Sequence, residues 1–101
     1  ELAPFQVAVV EINPKKNEKI KSISSSLYNA LVEKDHSVLW DDRDQRAGVK
    51  FSDMELIGVP TLIIIGENSS KNNKVEIKIR GEEKTTIFSP EQAIKRIMTE
   101  S

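Results

Sequence analysis

Between residues 41 and 55 the chain reads DDRDQRAGVKFSDME, five acids (Asp41, Asp42, Asp44, Asp53, Glu55) and three bases (Arg43, Arg46, Lys50) around one aromatic ring, Phe51. The local charge of −2 is the wrong sign for a simple phosphate clamp. Two chemistries suit these residue types. Aspartates behind an apolar strand, here Val38-Leu39-Trp40, lie at the edge where α/β sheets place ligands, and with magnesium Asp41 and Asp42 could serve a phosphoacceptor. That chemistry calls for acids from more than one strand end, whereas the first apolar run closes on Ile12-Asn13. The second chemistry is recognition. Phe51 and Glu55, four residues apart, share a face if the segment is helical. An exposed ring can stack on an unpaired guanine while a neighbouring carboxylate accepts from its Watson–Crick N–H groups. Arg43, Arg46 or Lys50 would then hold backbone phosphates. The same residues also have a purely architectural reading: with Ser52 as N-cap, Glu55 closes a capping box and Phe51 packs on Leu56 as a hydrophobic staple. Spacing alone leaves both open.

Other chemistries find little support. Cysteine is absent, which removes disulfides, thiol catalysis and thiolate metal sites, and the single His36 cannot build a zinc cluster by itself. His36 stands in a tight helix-to-strand connection, where His, Asn and Asp are favoured because they tolerate positive φ. Gly48, Gly58, Gly66 and Gly81 are scattered singly, in neither the dinucleotide nor the P-loop pattern. No catalytic residue and no metal ligand is expected.

The elements that must position the charged run follow from periodicity. The chain has 101 residues, 38% hydrophobic and 31% charged, a balance suited to one soluble domain over residues 1–101. No stretch approaches the ~18 to 20 apolar residues of a membrane span and no signal-like segment opens the chain, so an intracellular, cytoplasmic protein without membrane contact is expected. The run VAVVEI from Val7 reads as a buried strand, with Asn13 as cap and Pro14 as first residue of a helix. Ile20, Ile23, Leu27, Ala30 and Leu31 mark one face of that helix, which ends near Lys34. SVLW is a second strand, and a brief helix around Met54, Leu56 and Ile57 ends at Gly58. TLIIIG gives the strongest strand signal and is placed at the sheet centre. ENSSKNNK has the composition of a loop, VEIKIR alternates as a half-buried strand, and Thr85 to Phe88 returns as its hairpin partner beyond Gly81. Ser89, Pro90 and Gln92 form a capping box before a last helix with Ile94, Ile97 and Met98 on its buried face. The whole predicts a three-layer α/β/α domain around a mixed sheet of about five strands.

Taken together, APFQVAVVEIN, LYNALVEKDHSVLWDDRDQRAGVKFSDMELIGVPTLIIIG and VEIKIRGEEK resemble the C-terminal anticodon-binding domain of bacterial prolyl-tRNA synthetases, class II aminoacyl-tRNA synthetases. The likeness covers nearly the whole chain, and DDRDQRAGVKFSDMELIGVP is its most specific part. It implies docking on the anticodon loop of proline tRNA, whose two guanines would meet Phe51 and Glu55. It also implies a base contact from Lys84 and a weaker, secondary contact from Arg80. Some members carry arginine two positions after the proline of GVP, where this chain has Leu62; many have glycine where Asp35-His36 stands; and Lys50 is apolar in some relatives, so that it is a backbone contact at most. The class II catalytic motifs are absent, so the resemblance implies a non-catalytic, cofactor-free domain. Proline-tRNA ligase activity, ATP and magnesium would belong to a catalytic domain of the same polypeptide, in a homodimeric parent enzyme.

Overall fold

The computed structural model describes residues 5–12, 18–43, 46–82 and 84–100, without the side chains of residues 67, 68, 70 and 98–100. In order, the elements are β1 (Val7–Glu11), α1 (Glu18–Glu33), β2 (Val38–Asp41), α2 (Ala47–Ile57), β3 (Thr61–Ile65), α3 (Glu67–Asn72), β4 (Val75–Ile79), β5 (Thr86–Phe88) and α4 (Pro90–Glu100). The five strands form one sheet in the order β2-β1-β3-β4-β5. β1 pairs in parallel with both β2 and β3, while β3–β4 and β4–β5 are antiparallel. The mixed five-stranded α/β domain expected from the sequence is therefore the one observed, with β3 at its centre. The cap expected at Asn13 and Pro14, Asp44, and the Met98 side chain lie outside the described residues.

Alternation along the strands divides the core in two. Val7 and Val9 of β1, with Ile63 and Ile65 of β3 and Val75 and Ile77 of β4, pack against α1 and α4 in the larger cluster. Ala8 and Val10, with Leu62 and Ile64, face the other way and are covered by Met54 of α2 and by Val59. On that second face, Leu62 stands opposite Lys78 and Ile64 opposite Glu76 in the β3–β4 register. Both β4 residues are charged and half-buried because α2 covers the β1–β3 side of the sheet and stops short of β4. This step between a covered and an uncovered strip of sheet is where the candidate site lies.

Local punctuation follows the expected chemistry. The Ser89 capping box forms both ways: the Gln92 N–H donates to Ser89 Oγ at 3.3 Å and the Ser89 N–H donates to Gln92 Oε1 at 3.2 Å. Gly58 ends α2 at φ +88°, its N–H donating to the Met54 carbonyl at 3.0 Å. In the connection after α1, Asp35 rather than His36 takes the left-handed conformation, at φ +65°. One segment departs from expectation: ENSSKNNK is not all loop, since residues 67 to 72 form α3. The Ser69 hydroxyl accepts from the Gly66 N–H at 3.1 Å, and Asn73 closes the helix at φ +54°. Polar composition concealed a helix that its ends hold together.

Candidate nucleic-acid interface

Helix α2 distributes the charged run. It begins at Ala47, with Arg46 extended before it and no side-chain cap, so Ser52 lies in mid-helix and cannot head a capping box. Leu56 is 86% exposed and offers Phe51 no staple. The capping box and the staple are thereby removed, although the Phe51 ring still packs, half-buried, against the smaller core cluster.

What anchors α2 is Lys50, fully buried beneath it. Its ammonium donates to the Glu11 carbonyl at 2.6 Å and the Asp41 carbonyl at 3.5 Å, and lies 3.8 Å from Asp41 Oδ1. A lysine that can exist in such a place needs nearly all of its donors answered, and the carbonyls at the carboxyl ends of two parallel strands answer them. Burial lowers the Lys50 pKa from its ordinary value, opposed by the charges of Asp41 and Glu11. The expected phosphate contact by Lys50 is therefore corrected: the side chain has no access to solvent and its ammonium is bound internally.

Around it the charges close on one another. Arg43 grips Asp41 with two parallel bonds, Nε to Oδ1 and Nη2 to Oδ2, both 2.9 Å, and reaches Asp53 Oδ2 on α2 at 2.9 Å. Burial pushes the Asp41 carboxyl up, but the Arg43 side-chain and backbone bonds and the Lys50 charge outweigh it and hold Asp41 below its ordinary value. The hydrogen bond to Asp41, then that to Asp53, raises the Arg43 pKa further. Glu11, buried at the end of β1, accepts the Trp40 indole N–H at 2.6 Å through Oε2, while its Oε1 has no hydrogen-bond partner among the described residues and lies 3.9 Å from the Lys21 ammonium. A second strand end thus does carry an acid, which the sequence reading missed because Glu11 sits inside an apolar run. A phosphoacceptor on Asp41 and Asp42 is nevertheless poorly served, since Asp41 is engaged by Arg43 and by Lys50.

One position further around α2, Phe51 and Glu55 turn toward β3 and β4. Met54, Val59 and Leu62 form the buried floor of a small cleft, Phe51 forms a half-buried wall, and Glu55, Lys78 and Arg80 stand at the rim. Its volume of about 50 Å³ is too small to enclose a purine, and its floor is apolar. Glu55 is exposed and makes no hydrogen bond or ion pair with any described residue. Arg80 is held at its backbone, where the N–H donates to the Pro60 carbonyl at 2.8 Å, and its side chain is exposed. Three of the residues named from sequence, Phe51, Glu55 and Arg80, are brought together here. Lys84 is exposed between β4 and β5 but does not line the cleft, and Arg46 is exposed at the start of α2, also outside it. Arg43 borders a different groove of about 390 Å³ with Leu39, Trp40, Leu56 and Ile57. The sequence reading passed over Lys78, although strand alternation puts it on the same face as Arg80.

A model of the anticodon binding domain family matches residues 6–100. The chain belongs to this family. The fold recurs in a prolyl-tRNA synthetase from Cryptosporidium parvum complexed with L-proline and AMP, at TM-score 0.85 and 23% identity over 96% of this chain and 20% of that one. A prolyl-tRNA synthetase from the same organism complexed with halofuginone and AMPPNP aligns at TM-score 0.83 and 23% identity, over 97% and 21% of the two chains. The RNA binding domain of threonyl-tRNA synthetase from Cryptosporidium parvum Iowa II aligns at TM-score 0.79 and 23% identity, over 95% and 23%. The anticodon-binding domain thus spans about a fifth of the chains it matches. None of its described helices is long and apolar enough to cross a membrane.

Proposed function

We propose that this anticodon-binding domain reads the guanines of the proline anticodon and serves a prolyl-tRNA synthetase. The observation that carries the reading is the pairing of a half-buried Phe51 ring with an unengaged Glu55 carboxylate, one helical turn apart on one cleft. A ring on an apolar shelf accepts any base by stacking, and the carboxylate then favours a base that presents N–H donors on its Watson–Crick edge, as guanine does. Arg80 is placed to meet a phosphate of the same nucleotide, with Lys84, Arg46 and the exposed part of Arg43 further along the strand. Proline activation, with its ATP and magnesium, would be the work of a catalytic domain in the same polypeptide, in a cytoplasmic and homodimeric ligase. This domain supplies recognition and no catalytic group.

Titration of the chain with a proline anticodon stem-loop, and with a loop whose two guanines are replaced by adenines, tests this directly. Glu55→Ala should cut the preference for guanine by about 1–3 kcal/mol, while the unfolding free energy moves by no more than about 0.5 kcal/mol, as for an exposed side chain. Equal losses on both loops would remove Glu55 from base reading. Equal binding of both loops by the unaltered chain would favour a protein-binding role for the same fold.

A further inference from the structure

Guanine presents two N–H groups and one carbonyl oxygen, O6, on its Watson–Crick edge, so a carboxylate alone matches only part of it. We propose that Lys78 supplies the missing donor, giving the cleft an acceptor and a donor that together define guanine. This rests on the guanine reading proposed above. Lys78 stands directly opposite Leu62 in the β3–β4 register, so its stem rises beside the apolar floor on which a base would lie. Glu55 rises from α2 on the same cleft, which is also lined by Lys78 of β4 and by Arg80, just past the end of that strand. Among the described residues, the Lys78 ammonium donates one bond, to the Glu82 carbonyl at 2.8 Å. An ammonium has three donors, so that bond orients the head and leaves N–H groups for a ligand. Adenine would place an amino group where guanine has O6, setting donor against donor beside an apolar floor where a mismatch is costly. Arg80 carries the less specific part, contact with phosphate.

The test uses the 101-residue chain and three stem-loops that differ at the guanine positions: guanine, 6-thioguanine, whose sulfur accepts poorly in place of O6, and inosine, which keeps O6 and lacks the exocyclic amino group. The unaltered chain should bind guanine about tenfold better than 6-thioguanine, within the range of a good base-reading contact. Lys78→Met keeps the stem and should bind those two alike, while still preferring guanine to inosine through Glu55. Lys78→Arg, which retains a donor, should keep most of the 6-thioguanine discrimination. If Lys78→Met weakens all three loops by the same factor, or changes nothing, Lys78 touches phosphate or serves only the turn at Glu82, and the proposal falls. If the unaltered chain makes no distinction between guanine and inosine, the guanine reading of the cleft fails first, and this inference fails with it.

Discussion

Lys50 and Phe51 are neighbours in sequence and meet opposite fates. Lys50 goes inward to the carboxyl ends of β1 and β2, where the ammonium, the Glu11 carbonyl, Asp41, Arg43 and Asp53 are joined by bonds and ion pairs of 2.6 to 3.8 Å. Phe51 goes to the other flank of α2, where the Glu55 side chain has no partner among the described residues and one face of β4 is left half-exposed. One region is electrostatically closed and the other open. The density of charge between residues 41 and 55 is therefore not one site: part of it ties a helix without a side-chain cap to the sheet, and part stands exposed at the rim of a small cleft. Binding capacity is better read from charges that the fold leaves unanswered than from charge itself.

The largest effect expected from this contrast is on stability. Lys50→Ala should lower the unfolding free energy by about 3–5 kcal/mol in urea titrations, because it opens a cavity and strips a buried partner from Asp41 and from two strand-end carbonyls. Preference among anticodon loops should be unchanged in the fraction that remains folded. Full stability with loss of RNA binding would put the ammonium on the ligand and erase the distinction between the two regions.

On the open side the balance reverses. Phe51→Leu keeps apolar cover over Met54 and Leu62, so stability should fall by less than about 1.5 kcal/mol. The lost stacking face should weaken binding to every loop by about 1–3 kcal/mol, whatever its bases. Titration of cognate and altered loops checks the uniformity. A change in preference rather than in overall affinity would make the ring a reader instead of a shelf.

The smallest effect concerns pH. Asp41 titrates below its ordinary value of 3.8 in the folded chain, so its contribution is present above that value and is lost as pH falls through the lower, folded one. Thermal unfolding between pH 5 and 2 should show a steeper acid limb for the unaltered chain than for Asp41→Asn. Coincident limbs would mean that the Arg43–Asp41 pair adds nothing to folding.

Much of this was legible in the sequence. β-branched runs gave β1 and β3, Ser89-Pro90-x-Gln92 gave the start of α4, and the i, i+4 spacing joined Phe51 to Glu55. The misreadings share a cause: they concern side chains whose surroundings come from distant strands. Nothing near Lys50 in sequence announces that the Glu11 carbonyl, 39 residues away, will receive its ammonium. Glu11 looked like part of an apolar strand, and only the Trp40 indole, brought over by parallel pairing, shows how its carboxylate is accommodated. Lys78 was available from alternation, but its value depends on α2 ending short of β4. In α3, two polar end contacts outweighed the loop-like composition between them.

On the proposed reading the ligand meets the open flank of α2 and not the closed one. Amide chemical-shift mapping of the chain with a proline anticodon stem-loop, against a control loop lacking both guanines, tests it most directly. Guanine-dependent shifts should gather at Phe51, Glu55, Lys78 and Arg80, with little change at Glu11, Trp40 and Lys50. Shifts centred on the groove of Leu39, Trp40, Leu56 and Ile57, or an identical pattern with the control loop, would contradict it.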